Sequence, residues 1–443
     1  MNERKIAAKI IYDIEINGAY TNIALTKAFD QTDGLSSVEK RLVSELVHGV
    51  TERRITLDYI ISKFSSIKLT KIAPKVLNAL RLGVYQLLYM DKIPESAAVN
   101  ESVKIAKSVG GQKSGGFVNA ILRNVIRNKD NIKYPDTQNE FLSVYYSYPI
   151  EIIDMFLTEF EYDFVRDMLE AFNERSKLYL RCNTVKTTPE KLVSDLNDNG
   201  INAEYYSSPL FPGLNYIISV EKIGDIEKLP SYINGEFYIQ DVAASLVTEV
   251  LNPKSGDVVI DMCAAPGGKT THIAEKMKNN GKVYAFDIYE HKIKLIRENA
   301  KRLDLDICEA KIQDATLINE DYINKADCIL VDAPCSGIGI IGKKPDIKYQ
   351  RKPSDIKELS EISYKILCNA AKYVKSGGTL VYSTCTVMKA ENEDNIIRFL
   401  DKFKDEFYLE PIMAIDKPND GYITLYPHID GTDGFFMCRL KKR

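Results

Sequence analysis

The spacing of apolar positions divides the 443-residue chain. From residue 3 to about 128, apolar side chains recur every three or four residues, as in Ile6, Ile10 and Ile14, Leu42, Leu46 and Val50, and Val76, Leu80, Val84 and Leu87. That period puts them on one face of a helix. Gly, Pro or Ser breaks the segments, so residues 1–130 are expected to form an all-helical domain. The stretch 128–139 is polar, contains Pro135 and has no period, which reads as a linker. Across 143–235, helical spacing (150–172, 189–199) mixes with β-rich pieces (179–183, 203–206, 215–219), predicting a small α+β module. In it Arg181 and Asn183 alternate on one strand, as phosphate contacts or as edge-strand polarity. From 236 to 443, short β-rich runs alternate with helical patterns, as in an α/β domain built on parallel strands. Strands are expected at 258–261, 282–287, 307–312, 328–332 and 378–382, with two more near 407–412 and 434–440.

Composition adds exclusions. Hydrophobic residues at 45% and charged residues at 27% fit a globular protein. No run approaches 18 apolar residues and the start, MNERKIAAKI, is charged where a signal peptide is apolar, so a cytoplasmic protein without membrane contact is expected. Eight cysteines form no CxxC pair and the four histidines are dispersed, which argues for free thiols and no metal site. The net charge of -3 hides a division: residues 1–130 hold 20 Lys+Arg against 13 Asp+Glu, the remainder 39 against 49. A basic module of +7 suits a polyanion partner or is simply a solvated surface.

The chemistry concentrates in the last region. The run Asp261-Met-Cys263-Ala264-Ala265-Pro266-Gly267-Gly268-Lys269-Thr270 follows the first strand and leads into a helical pattern. A strand, a glycine turn and a helix N-terminus make a nucleotide-type site. Position 263 is Cys where a phosphate-binding GxxxxGK[ST] loop needs Gly, and the run lacks the GxGxxG of a dinucleotide site. Asp287 ends the second strand, placed for ribose hydroxyls, and Gln313-Asp314 ends the third, placed for an adenine edge. These features favour S-adenosyl-L-methionine. A literal GxGxxG at Gly337–Gly342 precedes Lys343-Lys-Pro345 rather than a helix, and is expected to be a flexible active-site loop.

Asp332-Ala-Pro-Cys335 ends the fourth strand and Ser383-Thr-Cys385 the fifth. In a doubly wound sheet both would face the crevice at the strands' carboxyl ends. Two thiols and a carboxylate facing a methyl donor suit C5 methylation of a pyrimidine, whose C5 becomes nucleophilic once a thiolate adds at C6. Asp332 would meet the N3 and amino edge of the base. Strand-end cysteines are also ordinary small hydrophobes, the better reading for Cys328, Cys368 and Cys438.

Together with Gln240-Asp241, Ser245, Lys344-Pro-Asp-Ile-Lys348 and Asp433-Gly-Phe-Phe436, these motifs resemble the RNA cytosine-C5 methyltransferases. Ala97-Ala-Val-Asn-Glu101 and Phe117-Val-Asn-Ala-Ile-Leu122 resemble the NusB fold, a helical RNA-binding domain. The combination is similar to the bacterial 16S ribosomal RNA methyltransferases of the RsmB/Sun type. That resemblance implies an all-α NusB-like domain, a small α+β RNA-recognition module and a C-terminal α/β class I (Rossmann-like) methyltransferase domain. It implies Cys385 as nucleophile, Cys335 as an aid to product release, and Cys263 to Lys269, Asp287, Asp314 and Asp332 as S-adenosyl-L-methionine ligands. The implied partner is 16S ribosomal RNA, free or in a small-subunit assembly intermediate, met by a monomer. The chain has no tryptophan: Tyr349 and Glu151 stand where such proteins often carry one. The rival expectation is an RNA-binding assembly factor with a vestigial methyltransferase domain.

Overall fold

A computed structural model describes residues 2–32, 34–174, 177–221, 224 and 226–443. It contains two compact units, Met1–Asn173 with Lys343–Arg351, and Glu174–Gly342 with Lys352–Arg443.

The first unit is helical. Its helices Glu3–Asn17, Thr21–Asp30, Ser37–Glu52, Arg54–Phe64, Pro74–Tyr89 and Glu95–Asn128 follow the predicted spacing. Local chemistry sets their ends: Ser36 and Glu39 form a capping box, Asn2 caps the first helix and Gly18 ends it at φ +66°. The longest helix kinks at Gly111, whose φ of +75° is cheap for glycine alone. Ile6, Ile10, Val43, Leu46, Leu80, Val84 and Leu122 meet in one core. Gly49 lets the Tyr85 ring lie where a β-carbon would stand, 1.9 Å away. Buried Arg81 is held by Asp58, at 2.6 and 2.7 Å, and by Glu15.

The polar stretch after residue 128 does not end this unit. Helices Gln138–Tyr146, Ile150–Glu159 and Tyr162–Phe172 belong to it. Thr56 Oγ1 donates to the Val144 carbonyl (2.6 Å), and Ser147 Oγ accepts from the Ile55 amide (3.0 Å). The compact unit extends to Asn173, because helix Gln138–Tyr146 packs on helix Arg54–Phe64 and the two helices that follow pack on Gln138–Tyr146. The inserted segment contributes Lys348, which is buried, donates to the Glu52 carbonyl at 2.7 Å and lies 4.2 Å from the Tyr148 ring. Burial lowers the Lys348 pKa to about 7, against the pull of Glu52. Tyr349 lies under the Arg54 guanidinium, 3.7 Å away.

The second unit holds two sheets. The smaller is antiparallel, with β1 (Leu178–Cys182), β2 (Asn202–Tyr205), β3 (Ile217–Glu221) and β4 (Phe237–Ile239) in the order β2-β3-β1-β4. Because β4 pairs with β1, this sheet runs past the boundary expected at 235. Arg181 is fully buried on β1, neither on an edge strand nor at a surface. Asn183 donates to the carbonyls of Gly235 and Leu303, both at 2.9 Å.

The larger sheet is formed by β5 (Val258–Asp261), β6 (Lys282–Asp287), β7 (Cys308–Ile312), β8 (Ala326–Asp332), β9 (Val374–Thr384), β10 (Phe407–Leu409), β11 (Tyr422–Leu425) and β12 (Phe435–Lys442). Its order is β10-β12-β9-β8-β5-β6-β7, with β11 beside β12. Strands β5 to β9 pair in parallel and β12 runs antiparallel to β9, so the sheet is mixed and Rossmann-like. The chain leaves β5 toward β6 on one side and returns to β8 on the other, the switch point where open α/β sheets bind ligands. Among the described residues no helix is long and apolar enough to cross a membrane, and no cluster of side chains has metal-binding composition.

Candidate active site

The site forms at the carboxyl ends of β5, β6, β8 and β9. Strand β5 ends at Asp261, which is fully buried; its Oδ2 accepts from the Thr270 hydroxyl at 2.7 Å, and its Oδ1 has no hydrogen-bond partner among the described residues. Burial, with the nearby Asp332 charge adding to it, raises the Asp261 pKa to about 7. The loop after it is fixed by backbone bonds from Met262 to Leu330, Ala264 to Phe286 and Gly267 to Ala264, all 2.7–2.9 Å. Gly267 has φ +101°, and a β-carbon there would lie 3.2 Å from the Ile296 backbone. This is the one position in the loop where the turn demands glycine. The helix Gly268–Lys276 then starts without a side-chain cap, leaving first-turn amides for a ligand.

Asp287 is buried at the end of β6, where its Oδ1 accepts from the Tyr289 amide (3.2 Å) and Lys292 lies 3.5 Å from Oδ2. Asp314, beyond β7, is exposed and closes a turn on Thr316 with bonds of 2.8 and 2.7 Å.

Strands β8 and β9 run parallel with Asp332 opposite Ser383. Asp332 Oδ1 accepts from the Ser383 hydroxyl at 2.9 Å and Oδ2 from Lys269 Nζ at 2.7 Å. Burial acts most strongly on Lys269 and would lower its pKa; the Asp332 carboxylate outweighs it and holds the ammonium charged. The Cys335 and Cys385 sulfurs lie 3.3 Å apart. The hydrogen bond to Cys385, reinforced by burial, raises the Cys335 pKa well above that of an ordinary thiol.

The segment expected to be a flexible loop is pinned. Ile338–Ile340 forms a 3-10 turn with Ile338 and Gly339 buried; the Gly339 amide donates to the Cys385 carbonyl (3.0 Å), and the Gly434 amide donates to the Gly339 carbonyl (2.8 Å). The backbone of Gly434 lies where a Gly339 side chain would be, 2.0 Å from its β-carbon.

Two supports of this geometry escaped the sequence reading. Asp261 lies inside the quoted motif but shows its importance only through its unmatched oxygen. Glu391 is fully buried and accepts from Ser336 N (2.7 Å) and Ser336 Oγ (2.6 Å), holding the backbone just after Cys335. A lone glutamate in Met388-Lys-Ala-Glu391 carries no signal of this in the sequence.

The chain is similar to known proteins along its whole length. Residues 248–441 match the model of the 16S rRNA methyltransferase RsmB/F family and residues 1–127 that of the NusB family. The chain is 38% identical to a probable ribosomal RNA small subunit methyltransferase B of Bacillus subtilis, over 99% of this chain and 98% of that protein. It is 31% identical to ribosomal RNA small subunit methyltransferase B of Cronobacter sakazakii, over 100% and 99%. The crystal structure of PH0851 aligns with TM-score 0.83 at 28% identity, covering 100% of this chain and 99% of that one. NSun6 from Pyrococcus horikoshii, solved with SFG, aligns with TM-score 0.58 at 25% identity, covering 66% and 98%.

Proposed function

Because this chain belongs to the RsmB/F family of 16S rRNA methyltransferases, we propose that it methylates C5 of a cytosine in small-subunit ribosomal RNA, with S-adenosylmethionine as methyl donor and Cys385 bonded transiently to C6. The observation that carries this reading is the pair of thiols 3.3 Å apart at the ends of adjacent parallel strands, beside the Asp332–Lys269 pair.

The residues present fit the cofactor. The buried Asp261 Oδ1 lacks a donor, the first turn of helix Gly268–Lys276 has uncapped amides, and buried Asp287 ends the neighbouring strand. Residues Cys263 to Lys269, Asp287 and Asp314 would hold it. Asp332 joins the two halves of the site, bound on one side to Lys269 of the loop and on the other to Ser383, two residues before Cys385. The homologous NSun6 structure contains SFG, an analogue of S-adenosylmethionine. When bound, S-adenosylmethionine supplies the electrophilic methyl group that an activated C5 takes up.

The chain's own residues generate that activated carbon. Burial and the hydrogen bond with Cys385 hold the proton on Cys335; Cys385 takes the role of attacking thiolate, with the Lys269 ammonium nearby. A new bond forms from Cys385 Sγ to C6, and the electron pair of the C5=C6 double bond moves to C5. Asp332, paired with Lys269 at 2.7 Å, accepts from the amino edge of the base and fixes its orientation. After methylation a water molecule takes the C5 proton, the C–H electron pair re-forms the double bond, and the S–C6 bond breaks with its electron pair leaving on the Cys385 sulfur as thiolate. Cys335 Sγ–H is then the donor placed to protonate the departing Cys385 sulfur.

The test is Cys385→Ser in the full chain, assayed with tritium-labelled cofactor and small-subunit ribosomal RNA. Methyl transfer should fall by at least about a thousandfold, as expected when a covalent step is removed, while cofactor affinity by calorimetry stays within about twofold. Appreciable transfer by this variant would refute Cys385 as nucleophile, and no cofactor binding by the unaltered protein would favour an assembly factor that has lost its chemistry.

A further inference from the structure

Arg181 lies on β1, an interior strand of the small sheet, and its side chain is fully buried. All five of its N–H groups are used. Nε and Nη2 bind the two oxygens of Glu275 at 2.9 and 2.8 Å, Nη2 also binds Thr271 Oγ1 at 3.0 Å, and Nη1 binds the Gly268 carbonyl at 2.7 Å and the Gln240 side-chain oxygen. Gly268, Thr271 and Glu275 form one stripe, at i, i+3 and i+7, of the helix that opens at the cofactor loop. Lys269 and Thr270, on the same helix, hold Asp332 and Asp261. A buried ion pair is weak evidence for stability, since apolar residues of similar size often serve as well. A planar fork that reads three turn positions of one helix is instead a device for register.

We propose that Arg181 is a positioning residue for the methyl donor: by gripping one stripe of helix Gly268–Lys276 it sets that helix's rotation and height, and so the placement of Lys269, Thr270 and the Cys263–Gly267 loop. This rests on the reading of that loop as the S-adenosylmethionine site. It makes the four-stranded sheet part of the methyl-donor site, whatever else that sheet binds.

Calorimetry with S-adenosylmethionine on the full chain tests it, using the unaltered protein, Arg181→Lys and the double variant Arg181→Met/Glu275→Met. Lysine keeps the charge but loses the fork; the double variant removes both buried charges together, so that neither is left unpaired in the interior. Both should bind the cofactor at least tenfold more weakly while affinity for a small-subunit ribosomal RNA fragment is unchanged. A merely structural role would lower the melting temperature without moving cofactor affinity in the molecules that remain folded. Cofactor affinity within twofold of the unaltered protein in either folded variant overturns the proposal. If the unaltered protein binds no cofactor, the reading of the loop falls first and the positioning role with it. Should neither variant fold, hydrogen exchange on the unaltered protein decides: added protection across Leu178–Cys182 on cofactor binding supports the role, and unchanged protection there overturns it.

Discussion

Burial makes the Asp261 carboxyl hard to charge, and this has a measurable consequence. Its pKa is near 7 in the folded chain, against an ordinary aspartate value near 4 when unfolded. A raised native pKa means the folded state holds the proton more tightly. The resulting stabilisation is complete below about pH 4 and is lost as pH rises through about 7. Denaturant unfolding of the unaltered protein and Asp261→Asn between pH 4 and pH 8 should therefore show a stability difference that declines across this range, by a few kcal/mol at most at ~1.4 kcal/mol per pKa unit. A difference independent of pH would contradict the burial argument. The surroundings of individual residues were legible where a motif places them at a strand end, as for Asp332, Cys335 and Cys385. They were not legible for Glu391 or Arg181, whose partners lie 55 and 94 positions away in the chain. Local spacing carries no information about such pairs.

Among the elements, the segment Gly337–Gly342 shows how composition misleads. The missing helix after it suggested a flexible loop, yet Gly339 is glycine because Gly434 of the loop before β12 packs against it. Gly339→Ala forces two backbones apart, and should cost on the order of 1–3 kcal/mol of stability, the usual range for overpacking. It should also lower methyl transfer at least tenfold, because the Gly339 amide holds the Cys385 carbonyl. A variant that keeps full activity would show that this contact does not position the thiol. Strands β5, β6, β8 and the second half of β9 were readable because each carries a short apolar run, whereas β4 and β11 are short segments without a run of that length. The helices within 150–172 were recognisable as helices, whereas Gln138–Tyr146, which begins in the polar stretch, was not, and an amphipathic face does not name the elements it will pack on.

For the whole molecule, the fold class read from the sequence holds, with a helical NusB region and a Rossmann-like methyltransferase domain, and the small α+β module contains a four-stranded antiparallel sheet. The charge division looks different once the compact units replace the linker as the boundary. The first unit, with its inserted segment, holds 26 Lys+Arg against 23 Asp+Glu, and the second 33 against 39. The apparent +7 thus shrinks to +3, because the helices after residue 130 are acidic, so RNA affinity must be sought in local patches and in the catalytic cleft. The proposed mechanism requires a covalent bond to RNA. Cys335→Ser, incubated with S-adenosylmethionine and small-subunit ribosomal RNA and then run on a denaturing gel, should trap it. A slower band that requires both RNA and Cys385 is expected, from which nuclease and protease digestion release the Cys385 peptide carrying a methylated cytidine. Normal turnover with no covalent species, or a species attached at any other residue, would contradict it.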